Sequence, residues 1–343
     1  MRQLTVQMTG RASGTVCAWM TGALGLPVSA CQASVATVAP VVVSPSPAPS
    51  EVTRAATVPS VPIRAPEAPR LADAARRASD VWVTAFKARD ADKLASVYAE
   101  DACVTSPGRP RVCGRSAIAE AARAVWAKLP EVRTAWGRTW QSGDLVAVES
   151  AWSTEARGAV LLALCWFSPE GLIREEHVYA DESPMSAVPG QSFGRGRPFD
   201  GLPTTRETYE SSGAPAEQAN AELFRASFAV PVLADDAELV DFAKSGSLVG
   251  KRYASRWVSG RSGGLADARV ELAKSWAVEP YLLCEYETTG RRPGGARGES
   301  VTLHGAEVLQ LEGGKVKRAW RYEDLLEPTP APNGLPLFPL AVP

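Results

Sequence analysis

The sequence predicts an α+β protein in which one kind of domain occurs twice. Three observations lead there. Apolar residues recur at helical spacing between Leu71 and Leu129. From Val132 to Ala180 the period drops to two in four successive runs. The strand motifs of the first half then return, with drift, in the second.

The chain opens with a targeting segment. In residues 1–31 Arg2 and Arg11 are the only charges, and a mostly apolar run from Thr15 to Val28 follows. It is too short to span a membrane and suits the core of a signal peptide. It ends in Val28-Ser29-Ala30-Cys31. That ending resembles the bacterial lipobox, which implies a signal peptide over 1–30 and a lipid on Cys31. Plain secretion, and an unprocessed chain in the cytoplasm, are the alternatives. Gln32 follows the cysteine, where an Asp would imply retention at an inner membrane. The expectation is therefore a lipid-anchored protein of the bacterial cell envelope, at the outer membrane, whose membrane partner is reached through the anchor. Residues 31–70, rich in Ala, Val, Pro and Ser, read as an extended tether, and 327–343 as a Pro-rich tail.

The folded part begins with a helix over Leu71 to Asp90, in which Leu71, Ala74, Ala78, Val81, Trp82, Ala85 and Phe86 share a face. A short second helix is predicted over "DKLASVYAE". Next, "DACVTSPGRPRVCGRSAI" reads as a hairpin, with Cys103 and Cys113 on either side of Pro107-Gly108. In an oxidising compartment, opposed cysteines of a hairpin pair, so a Cys103–Cys113 disulfide is expected. Ser116 is placed to cap a third helix carrying Ile118, Ala122, Val125, Trp126 and Leu129. The four strands are "VRTAWGRTW", "DLVAVESAW", "AVLLALCWF" and "LIREEHVYA", the first two joined at Ser142-Gly143.

The second half aligns "SWAVEPYLLCEY" with "TWQSGDLVAVES", and "LEGGKVKRAWRYED" with "SPEGLIREEHVYAD". Trp140 falls with Trp276, Glu149 with Glu285, and Tyr179 with Tyr322. "QANAELFRASFAVPVLADDAELVDFAK" would supply the opening helices. The domains are set at 71–183 and 216–326, with 184–215 between them as a link.

Composition excludes some functions. With 343 residues, 22% charged and a net charge of -1, the chain carries no basic surplus, and no nucleic-acid partner is expected. There is no CxxC, and the two histidines, His177 and His304, lie far apart, so neither a metal nor a cofactor is expected.

The motifs "AFKARDADKLASVYAEDACVTSP", "VCGRSAI" and "EGLIREEHVYAD" resemble the SnoaL-like branch of the nuclear-transport-factor-2-like superfamily. The resemblance covers roughly 73–182 and implies a cone: N-terminal helices packed on a curved antiparallel sheet around an apolar pocket. It also implies domains that pair through their sheets, as a homodimer or within one chain. In the isomerase branch an Asp base, a helix Tyr and a sheet acid act on carbon next to a carbonyl. Those positions fall on Ser106, Trp82 and Ala163 here, so the first domain lacks that machinery. In the second domain Glu285, Glu287 and Glu307 are the alternative acids, although alternating glutamates also line solvated strands. Trp82, Trp126, Trp136, Arg138, Trp140 and His177 are the candidates for a pocket that takes a small apolar ligand. The competing reading is that the rings simply fill the cone. His177 stands where the second domain has Trp320, which favours a space-filling ring. The function expected is ligand binding or scaffolding at the envelope. The alternative is a polyketide-cyclase or ketosteroid-isomerase type of enzyme acting through the second domain.

Overall fold

The computed structural model describes residues 68–107, 110–153, 158–180, 206–242, 247–292 and 300–323. Cys31, the signal segment, the tether up to residue 67 and the tail lie outside them, while residues 68–70, expected in the tether, begin the first helix. Helix α1 (Ala68–Ala88) buries Ala75, Ala78, Ala85 and Phe86 along one face. It ends at Arg89, whose φ of 58° is left-handed. That conformation costs an Arg about 1 kcal/mol, and two guanidinium hydrogen bonds of 2.7 Å to the carbonyls of Pro130 and Val132 hold it. Asp90 then caps α2 (Ala91–Ala95) by accepting from the Lys93 amide at 2.9 Å.

Strand β1 (Tyr98–Thr105) follows at once, so the predicted second helix stops well short of Glu100. Val97, Tyr98, Ala102 and Val104 are buried, and β1 gains a neighbour in the sheet that a lone helix would not. β2 (Val112–Cys113) folds back on it with Cys103 opposite Cys113. The two form a disulfide, their Cα atoms 4.1 Å apart. Helix α3 (Arg115–Lys128) starts two residues earlier than expected. Its cap is Gly114, at φ 96°, where a side chain would be strained, and Ser116 lies inside the first turn.

β3 (Arg133–Ser142), β4 (Leu145–Ser153), β5 (Gly158–Phe167) and β6 (Ile173–Ala180) form the expected meander. The sheet order is β2-β1-β6-β5-β4-β3-β7. The sheet is mixed, because β1 runs parallel to β6. β7 (Glu207–Glu210) comes from the segment expected to be a link and lies parallel to β3 at the edge.

The second half contains α4 (Pro215–Ser227), β8 (Leu233–Asp241), β9 (Ser247–Val249), a 3-10 turn (Lys251–Tyr253), α5 (Ala254–Gly260), β10 (Ala266–Val278), β11 (Tyr281–Arg291), β12 (Ser300–Glu312) and β13 (Lys315–Glu323). Only the first part of the predicted opening helices is helical. Pro231 cannot continue a helix, and "LADDAELVD" is strand β8, bonded in parallel to β13.

The two sheets share one register. Tyr98 lies opposite Ile173 and Cys103 opposite Glu175; in the second sheet Leu233 lies opposite Val316 and Glu238 opposite Arg318. The pairs Trp140–Ala147 and Trp276–Leu283 correspond in the same way. Even the β-bulge repeats, between Trp136 and Thr139 and between Leu272 and Lys274. The duplication read from sequence motifs is thus present strand by strand.

Each sheet has helices on one face only. α1, α2 and α3 cover the first with a core of Phe86, Ile118, Val125 and Trp152. α4 and α5 cover the second around Phe224, Trp257 and Leu309. The opposite faces pack on each other, Trp140, Leu164 and Trp166 of the first sheet against Tyr281, Val308 and Tyr322 of the second.

Candidate functional site

The bulge in β3 decides which residues face which core. In an unbroken strand Trp136, Arg138 and Trp140 would point the same way. One extra residue between Trp136 and Thr139 reverses the alternation. Trp136 therefore turns toward the helices, while Arg138 and Trp140 turn toward the second sheet.

Between α1 and the first sheet lies a cavity with about 670 Å³ of empty space, its mouth included. About 50 Å³ of it can hold the centre of a water molecule, room for roughly three or four waters. Ala78 and Trp82, one helical turn apart on α1, form one wall. Trp136, Val148, Trp152 and Ala163 of the sheet form the other. Trp82 and Trp136 have their ring centroids 5.8 Å apart.

One end of this apolar space is polar. Glu176 of β6 is 7% exposed and lines the cavity. The Tyr98 hydroxyl of β1 donates to Glu176 Oε2 at 2.6 Å. Trp82 lines the cavity with them. Burial favours the neutral carboxyl and raises the Glu176 pKa to about 7, against the opposing pull of the Tyr98 hydrogen bond and the nearby His177 charge. Cys165 lines the same wall, its thiol kept protonated by burial and by the neighbouring carboxylate.

Of the six pocket candidates, Trp82 and Trp136 line this cavity. Trp126 packs edge-on against Phe86 at 5.6 Å within the helix core. Arg138, Trp140 and His177 lie between the sheets. Arg138 forks onto Glu149 at 3.0 and 2.6 Å and stacks over Trp320, 3.8 Å from its ring centre. His177 bonds Glu285 at 2.6 Å and Glu175 at 3.0 Å. Burial alone would lower its pKa, but these two carboxylates raise it.

The three positions onto which the resemblance put the isomerase machinery are not all at the cavity. Trp82 and Ala163 line the cavity, and the buried Ser106 hydroxyl is committed to the carbonyl of Val178 at 3.1 Å. What the sequence reading missed is the pair Glu176–Tyr98. Its signal was present: Glu176-x-Val178-x-Ala180 puts one acid on a face otherwise apolar. Reading Tyr98 as helical hid its partner.

The second domain differs at the matching places. By the shared register Tyr98 and Glu176 correspond to Leu233 and Ala319, and Ala163 and Val178 to Glu307 and Arg321. Glu307 is fully buried and accepts from Arg261 at 3.0 and 2.7 Å and from Arg321 at 2.9 and 2.8 Å. Burial alone would raise its pKa, but the two guanidinium groups bring it down to about 2. Spare guanidinium N–H groups satisfy the carbonyls of Phe228 and Trp257. Glu285 faces the first sheet, accepting from the Tyr179 hydroxyl at 2.7 Å. Glu287 is half exposed, 4.0 Å from His304. None of the three borders the cavity. Among the described residues no cluster of ligating side chains could hold a metal ion, and no helix is long and apolar enough to cross a membrane.

Residues 80–173 match the sequence model of the SnoaL-like domain family. That segment, which holds Trp82, Tyr98, Trp136 and Ala163, is a SnoaL-like domain. Solved structures similar to the chain include a SnoaL-like protein from Burkholderia thailandensis, 24% identical, covering 32% of this chain and 94% of that one at a TM-score of 0.28. An NTF-2 like protein from Burkholderia xenovorans is 23% identical, covering 36% of this chain and 98% of that one at 0.28. An LEH-like epoxide hydrolase from M. tuberculosis is 19% identical, covering 33% and 86% at 0.28. No curated protein matches the chain.

Proposed function

We propose that the first domain binds a small, largely apolar molecule in its cavity, and that the second domain backs the binding sheet as a scaffold. The observation that carries this is the carboxyl of Glu176. It is buried at the end of an apolar space, and the Tyr98 hydroxyl donates to its Oε2. Apolar walls with one polar end are the usual form of a small-molecule site. The test is to fill the cavity. Ala163→Phe should abolish small-molecule binding seen by ligand-observed NMR and leave the fold intact by circular dichroism. Undiminished binding by the folded variant would overturn the reading.

In the same proposal the chain is held at a bacterial envelope membrane by a lipid on Cys31, the tether leading from that anchor to the folded part. Gln32, standing where an Asp would imply retention at the inner membrane, supports the outer membrane within this proposal. Metabolic labelling with a palmitate analogue should mark the wild type and not Cys31→Ala; an unlabelled wild type would remove the anchor.

A second reading is favoured by the place of Glu176, a carboxyl buried at the cavity wall and held by Tyr98, its pKa raised by burial to about 7. A general acid or base works best when poised near the operating pH. Glu176 would then move a proton on a bound substrate, with Tyr98 holding the carboxyl in place. This puts chemistry in the first domain, whereas Glu285 and Glu307 are engaged with Tyr179, His177, Arg261 and Arg321. Turnover lost in Glu176→Gln with binding retained would distinguish this reading.

A further inference from the structure

We infer that the ligand of the first-domain cavity is a small organic ammonium ion, its alkyl part against the indole rings and its N–H group on Glu176. This rests on the proposal that the cavity is a binding site, and adds the class of ligand.

Charge balance is the first argument. Among the cavity-lining residues Glu176 is the only acid, and there is no Lys, Arg or His. From the elements packed around it, the carboxyl meets the Tyr98 hydroxyl of β1 and the Cys165 thiol of β5. His177, next along β6, faces the second sheet and is held there by Glu285 and Glu175. The ionised carboxylate therefore has no cationic partner in the cavity, and a buried carboxylate without one is costly.

Hydrogen-bond direction is the second. The Tyr98 O–H is already donated to Glu176 Oε2. Once Glu176 is ionised, its oxygens can only accept. The complementary group is a donor, best a charged one. A ketone or ester would need Glu176 to stay protonated.

The walls are the third. Trp82, Trp136 and Trp152 line the space, and indole faces attract a cation by about 0.5–2 kcal/mol when it is shielded from water. The size fits a few heavy atoms only. Tyr98 and Glu176 are replaced by Leu233 and Ala319 in the second domain, so the preference belongs to the first domain alone.

Three probes of similar shape test this on the full chain: isobutylamine, isobutanol and 3-methylbutan-2-one. Binding is read from the indole N–H resonances and by calorimetry. At pH 8 the amine should bind at least about tenfold more tightly than either neutral probe. Alkyl ammonium groups stay protonated well above pH 8, at a pKa of about 10.4. Lowering the pH to 5.5 protonates Glu176, so amine affinity should fall at least about tenfold while that of isobutanol changes less than about threefold. Glu176→Gln should erase the preference and keep isobutanol binding. Should that variant fail to fold, the wild-type pH profile decides. Equal or tighter binding of the alcohol or ketone, or a pH-independent amine affinity, would overturn the ammonium assignment and leave the cavity a binding site. Binding of none of the three, with the indole resonances unmoved, would overturn both.

Discussion

Tyr179 of the first sheet donates its hydroxyl hydrogen to Glu285 of the second at 2.7 Å. The reciprocal bond exists as well, from Tyr322 of the second sheet to Glu149 of the first. Tyr179 corresponds to Tyr322 and Glu149 to Glu285 in the shared register. The companion cations follow suit: Arg138 bonds Glu149 and lies over Trp320, and Lys274 is 3.8 Å from Glu285 and lies over Trp166. Contact i to j is matched by contact j to i, the mark of a two-fold relation.

Removing one side of this arrangement strands the other. Tyr179→Phe should cost about 1–2 kcal/mol, since it deletes one hydrogen bond to a charged acceptor. Glu285→Ala should cost more, about 3 kcal/mol, because it leaves the Tyr179 hydroxyl and His177 without their shared partner. Urea unfolding curves check both. Equal costs would mean that His177 gains nothing from Glu285.

The ion triad of the second domain is exposed to the same logic more severely. Glu307→Ala leaves Arg261 and Arg321 buried without a countercharge, at an expected cost of about 3–5 kcal/mol. The Glu307 pKa is depressed, so its contribution is complete above the ordinary carboxylate pKa and is lost as pH falls through about 2. Acid unfolding monitored by Trp fluorescence should therefore begin at a higher pH in the variant than in the wild type.

Glu176 behaves in the opposite sense. Its folded-state pKa is raised, so the stability tied to its proton is complete below about 4.5 and is lost as pH rises through about 7. The change is about 3 kcal/mol over that window, then flat. His177, whose pKa is also raised, adds a loss of the same sign as pH rises through its folded value. Glu176→Gln should remove the larger part of the slope. A denaturation midpoint that rises between pH 5 and 8 in the wild type would contradict this.

The Cys103–Cys113 bridge closes a short loop. By the loop-entropy estimate, its removal in a Cys103→Ser, Cys113→Ser double variant should cost about 2–3 kcal/mol. Thermal unfolding with and without reductant checks it. A wild type insensitive to reductant, with both thiols alkylated in the native state, would show that the bridge does not form.

Much of this fold was legible because the first sheet alternates cleanly. In "AVLLALCWF" both faces are buried, one by helices and one by the second sheet, as they are at the end of "LIREEHVYA" from Val178 on, and the register survives that double demand. Tyr98 and "LADDAELVD" were misread because their strands are fixed by parallel pairing with β6 and β13, far along the chain. Local spacing carries no trace of such a partner. Arg138 and Trp140 were placed on the wrong face for a different reason: the bulge adds one residue, and Gly137 was the only mark of it. The cavity walls Trp82 and Trp136 could be read from sequence, but the acid at its end required knowing which face of β6 meets the helices.

The tandem arrangement has a further consequence. When two identical chains pair through a sheet, every substitution appears in both partners, so a cone cannot be stiffened on one side and left open on the other. Joining the halves removes that restriction. Here one half carries charged groups where the other keeps alanine and valine, and His177 answers Trp320 across the axis. The covalent connection also keeps the halves together at any dilution, because their encounter is intramolecular. Even at very low concentration the protein would retain its paired form.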